Sequence, residues 1–219
     1  LEYQQATFID SIKSTGMVDL LSNLLNKIDD ELNDNPKRIL SKETIERIAA
    51  MSHTFEPYLL PRGDSVSRKK LSPERGQLLL LLSTMHLDSS TFRQIKSQAT
   101  FENADLRKVN LPYADLSGAN LKGADMQEAN LTGANFSKAN LSFANLWGAS
   151  LSYALMDSVD LRRADGRWAV FNQANLQKAD LTEADLRSAQ LRKTDLQKAI
   201  LKWADLTSAF LNVPDLDSA

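Results

Sequence analysis

Hydrophobic and polar positions change their period near residue 99, and the chain divides there. Ahead of it, apolar residues recur at helical spacing. Leu21, Leu24, Leu25, Ile28 and Leu32 form one stripe of a 3.6-residue period, ended by Asn33-Asp34-Asn35-Pro36. Ser41 is placed to cap a second helix carrying Ile45, Ile48, Ala49 and Phe55. The run Pro61-Arg62-Gly63-Asp64-Ser65 reads as a loop. Ser72 then caps a third helix, with Pro73 in the first turn, where a missing N–H costs nothing. Leu87 to Ser97 reads as a short fourth helix.

Beyond residue 99 the period is five. Every residue whose number ends in 1 or 6 is apolar from Phe101 to Leu216 except Gly166, which makes 24 pentads without an insertion. Two places earlier stands alanine, with departures at Val109, Val159, Thr194 and Pro214. Residues two apart on extended backbone point the same way, so the alanine and the large residue both face inward. The residue between them faces outward and the next two turn a corner. Glycine in the second corner position, at Gly118, Gly123, Gly133 and Gly148, suits a turn. Each winding must stack on the one before, so that the backbone groups of both find partners.

Ala119-Asn120-Leu121-Lys122-Gly123 matches the A(D/N)Lxx consensus outright, and the region 99–219 resembles the pentapeptide-repeat family. That resemblance implies a mainly β chain with an α-helical amino-terminal part: a right-handed quadrilateral β-helix of about six coils, four pentads to a coil, capped by helices. The domain division expected is 1–98, a helical domain and cap, and 99–219, the β-helix. Leu78–Leu82, Phe92 and Ile95 are expected to cover the first coil, whose unpaired edge would otherwise invite aggregation. Gly166 is expected to bring a local bulge, or a neighbour such as Phe171 or Trp168 into the gap. The segment Leu71–Leu79 is also similar to one preceding the repeats in bacterial members that carry upstream membrane segments. On that reading the chain is the part outside the bilayer of a membrane-tethered parent. A start at Leu1 fits a processed or excised chain.

Composition narrows the chemistry. With 26 basic and 28 acidic residues the formal net charge is −2, which gives no electrostatic case for nucleic acid. Absence of cysteine excludes disulfides and thiol catalysis, and it fits a cytoplasmic setting, or the membrane surface for a tethered parent. The longest apolar run, Leu78–Leu82, is too short to insert in a membrane. Neither histidine, His53 or His86, has a partner motif for catalysis or metal binding, so no enzyme, cofactor or metal is expected.

Twenty-residue spacing stacks Asp105, Asp125, Asn145, Asp165, Asp185 and Asp205 in one column. A metal ladder is conceivable there; turn residues of this kind ordinarily hydrogen-bond nearby backbone instead. Arg107, Arg167 and Arg187, two places along, are set to relieve the repulsion between carboxylates. Two further columns hold Trp147, Arg167 and Arg187, and Phe143, Arg163, Glu183 and Trp203, with Arg162 and Trp168 beside them. Arginine and tryptophan dominate binding hot spots. These eight residues (Phe143, Trp147, Arg162, Arg163, Arg167, Trp168, Arg187 and Trp203) are the candidate partner surface, or else a cation–π ladder joining coils.

Three functions follow for test. The first is a regulatory protein-interaction scaffold of unknown partner. A second is mimicry of DNA toward a type II topoisomerase, which resemblance to quinolone-resistance members suggests; but 15 acidic and 13 basic residues over 101–219 leave little field. Third stands a ligand-sensing or enzymatic helical domain. A homodimer through the last coil or the first helix is expected as well.

Overall fold

The computed structural model describes residues 15–33, 35–62 and 65–212. Helix α1, Thr15–Asn33, buries Leu21, Leu24, Ile28 and Leu32, the stripe read from the sequence. Helix α2, Lys42–Thr54, starts at Ser41, whose Oγ accepts from the Thr44 N–H at 3.2 Å. Glu31 of α1 ties the two helices, accepting from the Ser41 N–H at 2.8 Å and from the Thr44 hydroxyl. Phe55 lies just past α2 and is buried.

The loop expected at 61–65 is instead the far end of an antiparallel hairpin, β1 (Tyr58–Arg62) and β2 (Ser65–Leu71). Gly63 and Asp64 lie outside the described residues. Proline counted as a loop signal, yet Pro61 sits where the pairing register shifts, one of the few places an edge strand accepts it. Helix α3, Pro73–Thr84, begins at Ser72, whose Oγ accepts from Arg75 N–H. Helix α4, Ser89–Gln98, begins two residues later than the sequence suggested. Asp88 is its cap, taking the N–H groups of Ser90 and Thr91 at 3.0 and 2.8 Å.

Helices and repeats meet through backbone. Ser72 pairs in parallel with Ala104, donating to Asn103 O at 2.8 Å and accepting from Asp105 N–H at 3.0 Å. Gly76, one turn into α3, lies so close that a Cβ there would stand 2.1 Å from the Asp105 carbonyl oxygen. The Ser52 hydroxyl takes the Thr100 N–H at 2.9 Å, while Arg75 donates to Ser52 O at 2.9 Å and Glu102 O at 2.7 Å. Leu78, Leu79, Leu82, Phe92 and Ile95 join one continuous core with Phe101 and the inward residues of the repeats.

In the repeats every outward position pairs with the one twenty residues on, from Asp105 with Asp125 to Asp185 with Asp205. Four pentads therefore complete one turn. The pentad from Ala104 shows where each N–H goes. Ala104 closes the corner onto Phe101 O, Asp105 reaches back to Ser72 O, and Leu106 and Lys108 reach forward to Asp125 O and Gln127 O. Arg107 N–H turns to its own wall, onto Asp105 Oδ1 at 3.4 Å. The same side-chain bond recurs under Asp115, Asn120, Asp125, Asn130, Asn135, Asn140 and Asn145, which accounts for Asp and Asn in that slot. Extended backbone is shorter than expected. Only β3 (Gln190–Arg192) and β4 (Phe210–Asn212), paired in parallel, run beyond a single bridge among the described repeats.

The second corner residue is left-handed from Asn103 to Ser208, with φ between 56° and 68°. That is the signature of a type II turn. Only four of these 22 corners are glycine, so repetition of the ladder holds 18 ordinary side chains in a conformation costing roughly 1 kcal/mol each.

Gly166 brings no bulge. Its N–H donates to Asp185 O at 2.7 Å, and Ala169 N–H closes the corner onto its carbonyl at 3.1 Å. Leu186 from the next coil leans into the space together with Phe171, while Trp168 stays outside at 59 % exposure. The last pentads read from the sequence, with Pro214 and Leu216, lie outside the described residues.

Candidate functional site

Stacking at twenty residues carries the outward columns up the rod. On one wall, Arg167 grips Asp165 in a fork, Nε–Oδ1 2.8 Å and Nη2–Oδ2 2.7 Å, and its Nε lies 3.6 Å from Asp185 of the next coil. Arg187 repeats the arrangement, forked on Asp185 at 2.8 and 2.6 Å and 3.6 Å from Asp205. Arg107 forks on Asp105 in the same way. On the adjacent wall Arg162 forks on Asp160 at 2.9 and 2.6 Å and comes within 3.7 Å of Asp180.

These arginines cancel the repulsion that a column of carboxylates would otherwise carry. Hydrogen bonding from the Arg187 side chain holds Asp185 below the ordinary carboxylate range, against the pull of its partial burial. For Asp160 burial pulls upward, but hydrogen bonds from the Arg162 side chain and backbone outweigh it and its pKa is also lowered. Among the described residues no cluster of histidine and carboxylate side chains is arranged to hold a metal ion.

The aromatic residues divide. Arg163 lies over the Phe143 ring, 5.6 Å from its centroid, and forks on Glu183 at 2.8 and 3.1 Å, so one guanidinium joins three coils. Lys122 approaches the same ring from the coil before, at 6.0 Å. Trp203 is 71 % exposed, with Lys202 at 4.0 Å over its ring. Trp168 is exposed beside Arg167, and Trp147 is half-buried, its N–H held by Asn145 Oδ1 at 3.1 Å. Arg162, Arg167 and Arg187 thus turn to carboxylates, and the ring-over-guanidinium contact forms only at Phe143 among the described residues. The structure therefore joins Phe143, Arg163 and Glu183 in direct contact; Trp147 and Trp168 share one corner on successive coils, and Trp203 stands on the neighbouring corner with Phe143 and Arg163.

Lys69 enters the site unannounced by the repeat. It reaches from β2 across the rod, its Nζ donating to Phe143 O at 3.0 Å and its Cε 3.8 Å from where a Cβ on Gly123 would stand. Burial lowers its pKa, although Asp125 and Asp165 pull the other way. Beneath the hairpin Asp125 is 3 % exposed. Column arithmetic puts Lys122 next to Phe143, so that contact was available in the sequence. The Lys69 contact spans 74 residues and has no periodic signal.

The family model described as pentapeptide repeats matches in 8 copies, over residues 99–138, 139–177, 149–187 and 167–202. Among solved structures, a pentapeptide repeat protein of the Arabidopsis thaliana thylakoid lumen is 29 % identical, over 46 % of this chain and 70 % of that one, with a TM-score of 0.46. A pentapeptide repeat protein from Nostoc PCC 7120 is 33 % identical over 50 % and 79 % of the two chains, TM-score 0.32. The plasmid-mediated fluoroquinolone resistance protein QnrB1 is 21 % identical over 53 % and 67 %, TM-score 0.36. No curated protein matches. Through residues 99–202, the chain belongs to the pentapeptide-repeat family.

Proposed function

We propose that the chain is a non-enzymatic scaffold that engages a protein partner along the corner carrying Phe143, Arg163 and Trp203 and the adjoining corner carrying Trp168. The observation that carries this reading is a set of exposed rings on a frame that is already rigid. Phe143, Trp168 and Trp203 are 45 %, 59 % and 71 % exposed, while the arginines beside them are fixed in forked ion pairs. Large rings on a preorganised surface lose little freedom on binding, which favours affinity. Trp147, Arg162, Arg167 and Arg187 set the polar rim.

In this reading the tube winds right-handed in about six coils, 1–98 serves as the cap, and a second copy meets the last coil or α1. Mimicry of DNA ranks below it, because Arg107, Arg162, Arg167 and Arg187 neutralise the acidic columns that such a mimic would present. The test is a pull-down with the intact chain, repeated after Phe143, Trp168 and Trp203 are changed to alanine. A captured protein lost by the variant is the expected result; identical capture by both overturns the assignment.

A further inference from the structure

Three walls of the rod carry charge on nearly every coil, the exceptions being Asn140-Ser142-Phe143 and Asn145-Trp147-Gly148. The fourth does not. Its outward positions begin at Asn110, Pro112 and Tyr113 and recur every twenty residues, and through Gln173 all twelve hold Asn, Ser, Thr, Gln, Pro, Gly, Val or Tyr. A chain with 25 % charged residues would place about three there by composition alone.

Two tyrosines stand on this wall's edge, two coils apart. Tyr113 is 78 % exposed, and its ring leans on the next coil: a Cβ on Gly133 would lie 2.5 Å from ring atoms Cδ1 and Cε1. The ring therefore packs against Gly133 of the next coil, with most of its surface open to solvent. Tyr153 is 56 % exposed and leans the same way, its hydroxyl accepting from Gln173 Nε2 at 2.9 Å. At the stacking distance of β-structure, two coils separate these rings by about 9.6 Å.

Between them runs an ordered strip of amides and hydroxyls. Asn130 Nδ2 donates to Asn110 Oδ1 at 2.7 Å; the Thr132 hydroxyl donates to Asn130 Oδ1 at 2.8 Å and lies 3.0 Å from Ser150 Oγ. At the Tyr113 end the wall opens into a cleft of about 360 Å³ between the turn after α3 and the first coil, with His86, Asn110, Tyr113 and Asp115 in its lining. That volume falls within the range of small-ligand sites.

From this juxtaposition we propose that the Asn110–Gln173 wall binds an extended, uncharged β-linked polysaccharide, with one chain end received in the cleft at His86. Pyranose rings present apolar C–H faces, which stack on aromatic rings, and hydroxyl edges, which pair with amides and hydroxyls. A flat β-linked chain advances per sugar by close to the rise of one coil. Equivalent sugar faces therefore meet equivalent tyrosines at every second unit. The absence of charge along the wall suits a neutral glycan, and Asp115 at the cleft is already paired with Lys96 at 3.0 Å.

The experiment titrates the whole chain with cellohexaose and with chitohexaose, and with the corresponding disaccharides, by calorimetry. One or both hexasaccharides bind, and which one does so identifies the sugar. The disaccharides, too short to reach both rings, bind at least about tenfold more weakly. Tyr113→Ala and Tyr153→Ala each weaken hexasaccharide binding by about tenfold, the effect of one lost stacking contact. Tyr153→Phe, which keeps the ring, retains it. Unchanged thermal melting of each variant shows that the exposed rings were removed without unfolding the rod. Neither hexasaccharide binding at millimolar concentration overturns the proposal, as does equal binding by the double alanine variant. So does a polypeptide captured through the same two tyrosines when both sugars fail.

Discussion

Two buried glycines make opposite demands, and the same substitution at each separates a backbone contact from a side-chain one. At Gly76 an added Cβ meets the Asp105 carbonyl oxygen at 2.1 Å and its carbon at 2.9 Å. Neither atom can move without opening the Ser72 bonds to Asn103 and Asp105 that join helix to coil. Loss of two backbone hydrogen bonds at about 1 kcal/mol each, with overpacking of 1–3 kcal/mol, puts Gly76→Ala at about 3–5 kcal/mol destabilising. At Gly166 the nearest atom is the Leu186 Cδ2 at 2.8 Å, the free end of a flexible side chain, and the Asp185 oxygen stands back at 3.5 Å. A small shift of Leu186 admits the methyl group, and the lower entropy of the unfolded chain returns roughly 0.5–1 kcal/mol. Gly166→Ala is therefore expected within about 1 kcal/mol of the parent. Urea unfolding followed by far-ultraviolet circular dichroism measures both. Equal midpoints for Gly76→Ala and the parent would refute the seating of α3 on the first coil.

Other substitutions test the remaining contacts. Gly166→Leu, which restores the family's usual residue, should cost about 1–3 kcal/mol because Leu186 and Phe171 already fill the space; a rise in melting temperature contradicts this. Combining it with Leu186→Ala should cost less than the sum of the two single changes, and strict additivity would show that the two sites do not share a volume. Ser52→Ala strips the Thr100 N–H of its buried acceptor and should destabilise by about 1–3 kcal/mol, read from the same unfolding curves. Asp160 and Asp185 have lowered pKa values when folded, so their ion pairs stabilise the rod above the unfolded carboxylate pKa of about 4. That contribution is lost as pH falls through the lower folded values. Melting temperature should hold steady near neutrality and decline in acid; the doubly substituted Asp160→Asn, Asp185→Asn protein should decline less, and a parallel decline would discount these pairs.

The repeat was legible because its physics is periodic. One five-residue count gives the inward alanine and leucine, the corner, and, with four pentads per turn, the columns that set Arg163 by Phe143 and Arg167 by Asp185. The forks of Arg107, Arg167 and Arg187 on Asp105, Asp165 and Asp185 were readable as neighbours two apart on one wall. Contacts without a period stayed hidden. Nothing around Pro61 distinguishes a bulged hairpin strand from a loop, and nothing in Gly76 announces a carbonyl from residue 105. Lys69 reads as an ordinary surface cation until the hairpin lays it across Phe143. At Gly166 the expected neighbour Phe171 is present at 3.6 Å, Trp168 stays outside, and the nearer Leu186, twenty residues on in its own column, was not anticipated.

The chain contains no cysteine, so pairs of spin labels can be attached at chosen corners without background. Lys138 and Lys178 share a corner column two coils apart, at about 9.6 Å along the rod, whereas Lys138 and Ser188 belong to opposite corners of the tube. Continuous-wave electron paramagnetic resonance should show strong dipolar broadening for the first pair and weak broadening for the second. Equal spectra, or stronger broadening from Lys138 and Ser188, would contradict the four-pentad turn on which every column and both proposed surfaces depend.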